Sequence, residues 1–369
     1  MSKRILVLFH LNFLRQDRGC SVYLYQILKV LQTHHVQIDF FATDLTGEDF
    51  SDFYSLNTKE HLISSFYLHQ TRNGASEKIW DYLQKIVQTG TYDFIYAHYI
   101  QWADVLKRCQ LPPKTKVIYG MHDLNFIQCF YEIGFEGLAQ RFENEVKALE
   151  IFDKITAISM DELFFLKHFY PQKPFYFLPP PVSVSSSFAL RKPSYDLLLI
   201  GANNLYNLEG LVWFLEQVMP LFHTSPRLTI CGKVNEILEE KYPQLAHWAD
   251  QSDIRRIPFA PDLDRLYADH KVAIVPIFKG TGMKIKTIDA MARNVPVVTT
   301  SLGVDGFPDK TQNGCLVADQ PKLFAHHIEK LLTDEKFYVY VCQQSKTYFE
   351  HNLSLEKATQ TLKTVFELS

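Results

Sequence analysis

Val272-Ala273-Ile274-Val275-Pro276-Ile277-Phe278-Lys279-Gly280-Thr281-Gly282-Met283-Lys284-Ile285-Lys286-Thr287-Ile288-Asp289-Ala290-Met291-Ala292-Arg293-Asn294-Val295-Pro296-Val297-Val298-Thr299-Thr300 reads as strand, glycine-rich loop, helix and strand. Val272–Val275 is a short apolar run that stops at Pro276, and Val295–Thr299 is a second one. Gly280 and Gly282 punctuate the loop between them, and a helix carries the chain to Ala292. Two strands joined through a helix lie parallel, with the helix packed on a face of the sheet.

Working outward, the same alternation recurs on the N-terminal side. Leu197-Leu198-Leu199-Ile200-Gly201 and Leu228-Thr229-Ile230-Cys231-Gly232 are apolar runs that end in glycine. Further back lie Ile5–Phe9, Val36–Phe41, Phe94–Ala97, Val117–Tyr119 and Ile155–Ile158. Val22, Tyr23, Ile27, Leu28 and Leu31 recur at helical spacing between the first two. Pro179-Pro180-Pro181, a serine cluster and Arg191-Lys192-Pro193-Ser194 separate the two series as a linker. The expected fold is α/β, with two Rossmann-like domains, 1–182 and 183–350, facing across a deep cleft. Ligands of open parallel sheets bind beyond the carboxyl ends of the strands. The turns at Gly19, Gly201, Gly232 and Gly280 are therefore expected to open near that cleft.

The 369 residues carry a formal charge of −3, with 21% charged and 47% hydrophobic side chains. Such a chain holds two domains of ordinary size, is not disordered, and lacks the basic footprint of a nucleic-acid-binding protein. Cys20, Cys109, Cys129, Cys231, Cys315 and Cys342 are dispersed, without metal-like spacing, as expected in a reducing, cytoplasmic compartment. Lys3-Arg4 before Ile5–Phe9 imitates a secretory leader, but His10, Asn12 and Arg15 break the apolar run, and a buried first strand is the better reading. Aromatic residues are abundant at 14%. Phe164-Phe165-Leu166, Phe169-Tyr170 and Phe175-Tyr176-Phe177, beside Lys167, His168 and Lys173, read either as core and inter-domain packing or as a peripheral membrane contact.

The loop and helix of the opening stretch carry the chemistry. Glycines let the backbone approach a ligand closely, and a helix N-terminus offers unpaired N–H groups to an anion. Lys284 and Lys286 add two cations that would neutralise a diphosphate and stabilise its charge as it leaves. Asp289 lies one turn on, where its carboxylate can accept ribose hydroxyls. The plainer reading is a helix start with two solvated lysines. In the first half, His98 ends one strand, in Tyr96-Ala97-His98-Tyr99, and His122-Asp123 ends the next. Each reads as a ligand contact or as a structural group, with Asp123 also a candidate helix cap. Arg15 and Arg18 flank Gly19 and read as contacts to an anionic acceptor or as surface charge. Ser159 reads as a structural helix cap.

The opening stretch resembles the donor-binding motif of the GT-B glycosyltransferases, close to glycosyltransferase family 4 and its group 1 relatives. Asp289-Ala290-Met291-Ala292 and Pro296-Val297-Val298 match that motif, and Lys284 and Lys286 fit the subgroup reading Gly-x-Gly-Thr-Arg-Leu-Lys. Thr281 stands where the family usually has a first glutamate. Gly201–Pro220, with Asn207, resembles the first strand and helix of the family's C-terminal domain, with asparagines in place of its Arg and Lys. Phe259–Leu263 resembles the segment that cradles the nucleotide base, and Asn313–Val317 a loop and strand near the domain's end.

The resemblance implies a metal-independent, retaining glycosyltransferase without a cofactor. Its donor would be a UDP- or GDP-sugar and its acceptor a glycan, lipid-linked or protein group, in bacterial surface polysaccharide or glycoconjugate synthesis at the inner face of the membrane. It implies catalytic roles for His98, Lys286 and Lys284. Donor contacts fall to Gly19, Gly201, Asn207, Phe259, Gly280, Thr281, Gly282, Met283 and Asp289, and acceptor contacts to His122, Asp123, Arg15 and Arg18. Residues 1–182 would bind the acceptor, 183–350 the donor, and a helix in 351–369 would return to the N-terminal domain. The alternatives are an epimerase or phosphorylase on the same fold, and a catalytically degenerate partner of a glycosylation complex.

Overall fold

The protein is described by a computed structural model that covers residues 2–10, 19–43, 65–69, 76–184, 193–252 and 254–369. The chain divides into two units: Met1–Pro181 with Leu355–Ser369, and Val182–Ser354.

The first unit is built on a seven-stranded parallel sheet: β1 (Arg4–Phe9), β2 (Gln37–Thr43), β3 (Ser65–His69), β4 (Phe94–His98), β5 (Lys116–Met121), β6 (Lys154–Ala157) and β7 (Phe175–Phe177). Their order is β3-β2-β1-β4-β5-β6-β7. Ile5 to Phe9 are all fully buried, as an apolar run must be when both faces of its sheet are covered. Ile5 lies opposite Ile38 on one side and Phe94 on the other. The chain winds outward from β1 to β3, then returns to place β4 on β1's free side, so its topological switch point lies between β1 and β4. Ser159 caps the helix Met160–Lys167 by accepting the Glu162 N–H at 3.3 Å.

The second unit repeats the scheme with β8 (Tyr195–Ile200), β9 (Leu228–Cys231), β10 (Ile254–Ile257), β11 (His270–Val275), β12 (Val297–Thr299) and β13 (Leu316–Val317), ordered β10-β9-β8-β11-β12-β13. Ala273 lies opposite Val297 and Leu198, and the switch point falls between β8 and β11. Gly210, in the helix Leu205–Trp213 after β8, meets the end of β11 at backbone distance. A Cβ there would lie 1.6 Å from the Pro276 carbonyl oxygen.

The helix Leu355–Phe366 belongs to the first unit. Phe366 meets Phe94 and Tyr96 edge-on, with centroids 5.4 and 5.2 Å away, and Thr361 donates to the Phe177 carbonyl at 3.2 Å. Glu367 accepts from Lys116 at 2.6 Å and from Lys154 at 2.9 Å. These bonds, the one from Lys116 first, lower its carboxyl from 4.5 to about 2. Phe175–Phe177 is thus an edge strand beside this helix.

Gly210→Ala is expected to destabilise the protein by about 1–3 kcal/mol in urea denaturation, the usual cost of overpacking. Glu367 contributes stability that is complete above the ordinary carboxylate range and lost as pH falls towards 2. Glu367→Gln should therefore lower the urea midpoint at pH 7, and the gap to the parent should close between pH 5 and pH 2.

Candidate functional site

In the second unit, the segments that follow β8 and β11 converge at the switch point. Asn204 caps the helix Leu205–Trp213 by accepting the Asn207 N–H at 2.8 Å. This fixes Asn207 in the first turn, where it is buried and its amide nitrogen donates to the Ala202 carbonyl at 3.1 Å. Its amide oxygen then accepts from the Lys286 ammonium at 2.5 Å. Among the described residues no carboxylate pairs with Lys286. Withdrawal from solvent, and secondarily the like charge of Lys284, lowers its ammonium from 10.5 to about 7. Tyr267 holds the backbone beneath it by donating to the Lys286 carbonyl at 3.2 Å.

The loop after β11 turns through Gly280 and Gly282 at φ 114° and 67°, a conformation that favours glycine. Thr281 is half-exposed, whereas the Met283 side chain is packed inward at 6% exposure. Lys284 differs from the expectation of a cation held out for a phosphate. Its ammonium donates back to the Thr281 and Gly282 carbonyls at 3.1 and 2.8 Å, so it staples the loop. Asp289 is likewise engaged within the protein. Arg293, at i+4, donates to its carboxylate at 3.0 Å and to Asp264 at 2.7 Å, with its guanidinium 5.2 Å from the centre of the Tyr267 ring. Burial raises the Asp289 carboxyl and the Arg293 charge opposes that rise. Arg293 went unread in the sequence, although its spacing from Asp289 is that of a helical ion pair. Gly201 is buried behind Val234. Phe259 follows β10 with its ring 75% exposed.

In the first unit, His98 and His122 end β4 and β5 as expected, but both are enclosed. His98 is 0% exposed and His122 3%, so neither presents a ring at the surface of the unit, and a direct substrate contact by either is not what this conformation offers. Their rings are hydrogen-bonded, Nδ1 of His98 to Nε2 of His122, at 2.8 Å. Gly120 makes the room, since a Cβ there would lie 2.8 Å from the His98 ring. Burial lowers both imidazoles, His122 to about 3. Tyr99, with φ 76°, turns its ring flat onto His122 at 4.7 Å and edge-on to His10 at 4.4 Å. A non-glycine residue held there stores about 1–3 kcal/mol of strain.

Asp123 does not cap the following helix. Asn125–Ile133 has Leu124 at its N-cap without a side-chain bond, and its first N–H groups, from Asn125 and Phe126, donate to the Glu145 carboxylate at 2.9 and 2.8 Å. Gly19 is exposed and opens the helix Gly19–Thr33. Arg15 and Arg18 lie outside the described residues.

Beyond the ends of β1, β4 and β5 the first unit holds a cavity of about 510 Å³. Its walls include the rings of His10, Tyr99 and Trp102 and the carboxamide residues Gln101, Asn125 and Gln128. None of these was read from the sequence as a site residue. Next to it, Phe126, Phe142, Phe165 and Phe169 pack ring to ring at 5.1–6.1 Å, with Phe169 43% and Phe135 80% exposed. The aromatic stretch therefore forms a surface cluster of this unit. Among the described residues no helix is long and apolar enough to cross a membrane, and no group of three or more His, Cys, Asp or Glu is placed to hold a metal ion.

Residues 194–334, within the second unit, match the family described as glycosyl transferases group 1. The whole chain superposes on HepE from Anabaena, solved in complex with UDP and glucose, with a TM-score of 0.74 over 99% of this chain and 100% of that one at 12% identity. It superposes on sucrose-phosphate synthase from Thermosynechococcus elongatus with a TM-score of 0.70 over 99% and 98% of the two chains at 15% identity. A 44.6 kDa protein in the cps region of Klebsiella pneumoniae is 27% identical over 272 residues, 67% of each chain. The chain thus has the GT-B fold of glycosyltransferases, and through its second unit it is related to the glycosyl transferases group 1.

Proposed function

We propose that this protein is a metal-independent, retaining glycosyltransferase that moves a sugar from a UDP- or GDP-sugar to a glycan, lipid-linked or protein acceptor. The observation that carries this reading is Lys286. Its ammonium is partly buried at the switch point of a Rossmann-like sheet, beside a two-glycine loop, and is hydrogen-bonded to a neutral amide and not to a carboxylate. A cation left without a counter-charge is a receptor for an anion brought by a ligand. The diphosphate of the donor supplies that anion, Phe259 offers its exposed ring to the base, and Lys284 keeps the loop in shape.

In the transfer step, the acceptor hydroxyl oxygen bonds to the anomeric carbon while the bond from that carbon to the donor diphosphate breaks on the same face. The hydroxyl proton passes to the leaving diphosphate oxygen. Lys286 holds the charge that develops there. His98 and His122 act through the Tyr99 ring that they support, as positioning groups. The exposed aromatic cluster supports a cytoplasmic enzyme in peripheral contact with the membrane. The HepE complexes with UDP and UDP-glucose support a uridine donor, and the relative in a cps region supports a role in bacterial surface polysaccharide synthesis. The second reading, a degenerate partner protein, draws on Lys284 being bound to its own loop.

A panel of UDP-, GDP- and ADP-sugars, with release of the nucleotide followed by NMR, tests the proposal. Release with one member is expected, and Lys286→Ala should lower it by roughly 10²–10³-fold with an unchanged melting profile. Binding and release with none of them favours the degenerate partner. Because the cationic form binds the diphosphate, UDP affinity should fall as pH rises through about 7. In Lys286→Met, titration calorimetry should find that slope gone.

A further inference from the structure

We propose that Asn207 is a positioning residue, a neutral acceptor that fixes the Lys286 ammonium in place and leaves its charge for an anion from outside the chain. The proposal rests on the reading of Lys286 as the receptor of the donor diphosphate, and it replaces the direct donor contact that the resemblance assigned to Asn207.

The carboxamide has one possible orientation. Asn207 is 8% exposed, and both polar atoms of its side chain are engaged within the unit. The Ala202 carbonyl, 3.1 Å from the amide nitrogen, can only accept. The Lys286 ammonium, 2.5 Å from the amide oxygen, can only donate. A flipped amide would set donor against donor and acceptor against acceptor. The backbone N–H of Asn207 is held as well, by the Asn204 side chain at 2.8 Å. A side chain bound in this way to its own unit orients another group and is not itself the contact to a ligand.

The same two partners explain why an amide stands here. The position needs a donor towards Ala202 and an acceptor towards Lys286, and a carboxamide supplies both. Aspartate would supply the acceptor, but it would set a carboxylate oxygen against the Ala202 carbonyl and neutralise the ammonium. Alanine would supply neither.

The charges on the surrounding elements are engaged with other groups. Glu209, on the same helix as Asn207, accepts from Lys279 at 3.0 Å. Asp289, on the Lys286 helix, and Asp264, on the helix Leu263–Ala268, accept from Arg293 at 3.0 and 2.7 Å. The Lys284 ammonium donates to the loop carbonyls, and the Tyr267 hydroxyl to the Lys286 carbonyl. Leu198, Ile200 and Ile274 adjoin the lysine on the side of the sheet. Its ammonium is thus anchored by a neutral oxygen, with withdrawal from solvent and the charge of Lys284 lowering it to about 7. Such a cation is held still without being neutralised, and an incoming diphosphate supplies the missing opposite charge.

Asn207→Asp and Asn207→Ala lose the same bond to Ala202, so charge at this position is what separates them. Lysine side-chain titration by NMR on the full chain, with the Lys286 signal assigned from Lys286→Met, tests the proposal first without a ligand. The midpoint should rise by at least about one pH unit in Asn207→Asp, where an opposite charge favours the ammonium, and fall in Asn207→Ala. Calorimetry with UDP-glucose, in two buffers of different ionisation enthalpy, then reads the proton drawn up on binding; the diphosphate of this probe has no titrating group near neutrality. At pH 7 the parent should take up about half a proton. Asn207→Asp should take up almost none and bind at least roughly tenfold more weakly, and Asn207→Ala should take up more than the parent. Midpoints that stay put or move in the same direction in both variants overturn the proposal, as does an Asn207→Asp variant with the parent's affinity and proton uptake. Midpoints that move apart while the parent binds no nucleotide sugar support the role of Asn207 and count against the transferase. Unmoved midpoints with nucleotide-sugar binding intact count against Asn207 alone.

Discussion

The contact between the Lys286 ammonium and the Asn207 amide oxygen joins the two segments that meet at the second unit's switch point. One side chain follows β11 and the other follows β8. Each is placed by a local device: the Asn204 cap for Asn207, and the Tyr267 hydroxyl on the backbone of Lys286. Burial lowers this lysine from 10.5 to about 7, and among the described residues no carboxylate pairs with it. The close seat of Gly210 on Pro276 keeps the two segments at the distance this contact needs.

The two sheets share a winding scheme and differ in what they place at its turning point. The second unit gathers lysines beside glycines. The first gathers imidazole, phenol, indole and carboxamide groups, and Glu145 accepts the leading N–H groups of the helix Asn125–Ile133. One fold thus presents different side-chain chemistry on corresponding loops of its two units, without any change in architecture.

The strands that were legible in the sequence are those buried on both faces. Ile5–Phe9 and Leu197–Ile200 are uninterrupted apolar runs because helices cover them above and below. Of the edge strands, β3, β7 and β10 escaped, while β13 was reached through the resemblance. β10 contains Arg255 and Arg256, and Arg256 is accommodated by Asn235, Glu239 and Asp250. β7 is a Phe-Tyr-Phe triplet whose character as a strand depends on a helix that begins at Leu355. Within the site, the lysine–glycine loop and the alternation of strand and helix were readable because their logic is local. The enclosure of His98 was not, because it is set by His122, by the space at Gly120 and by the turn at Tyr99. Nor was the role of Glu145, which lies 20 residues beyond the N–H of Asn125 that it binds. The Asp289–Arg293 pair is the exception, a short-range interaction that the helical spacing already contained.

The helix Leu355–Phe366 also has a bearing on how the protein is made. A chain is synthesised from its N-terminus, and domains generally fold in that order. Here the earlier unit lacks the cover over Phe94 and Tyr96, and the counter-charge for Lys116 and Lys154, until residues 355–367 have been translated, after the whole of the later unit. Of the two units, the one that emerges earlier from the ribosome is therefore the later to be completed.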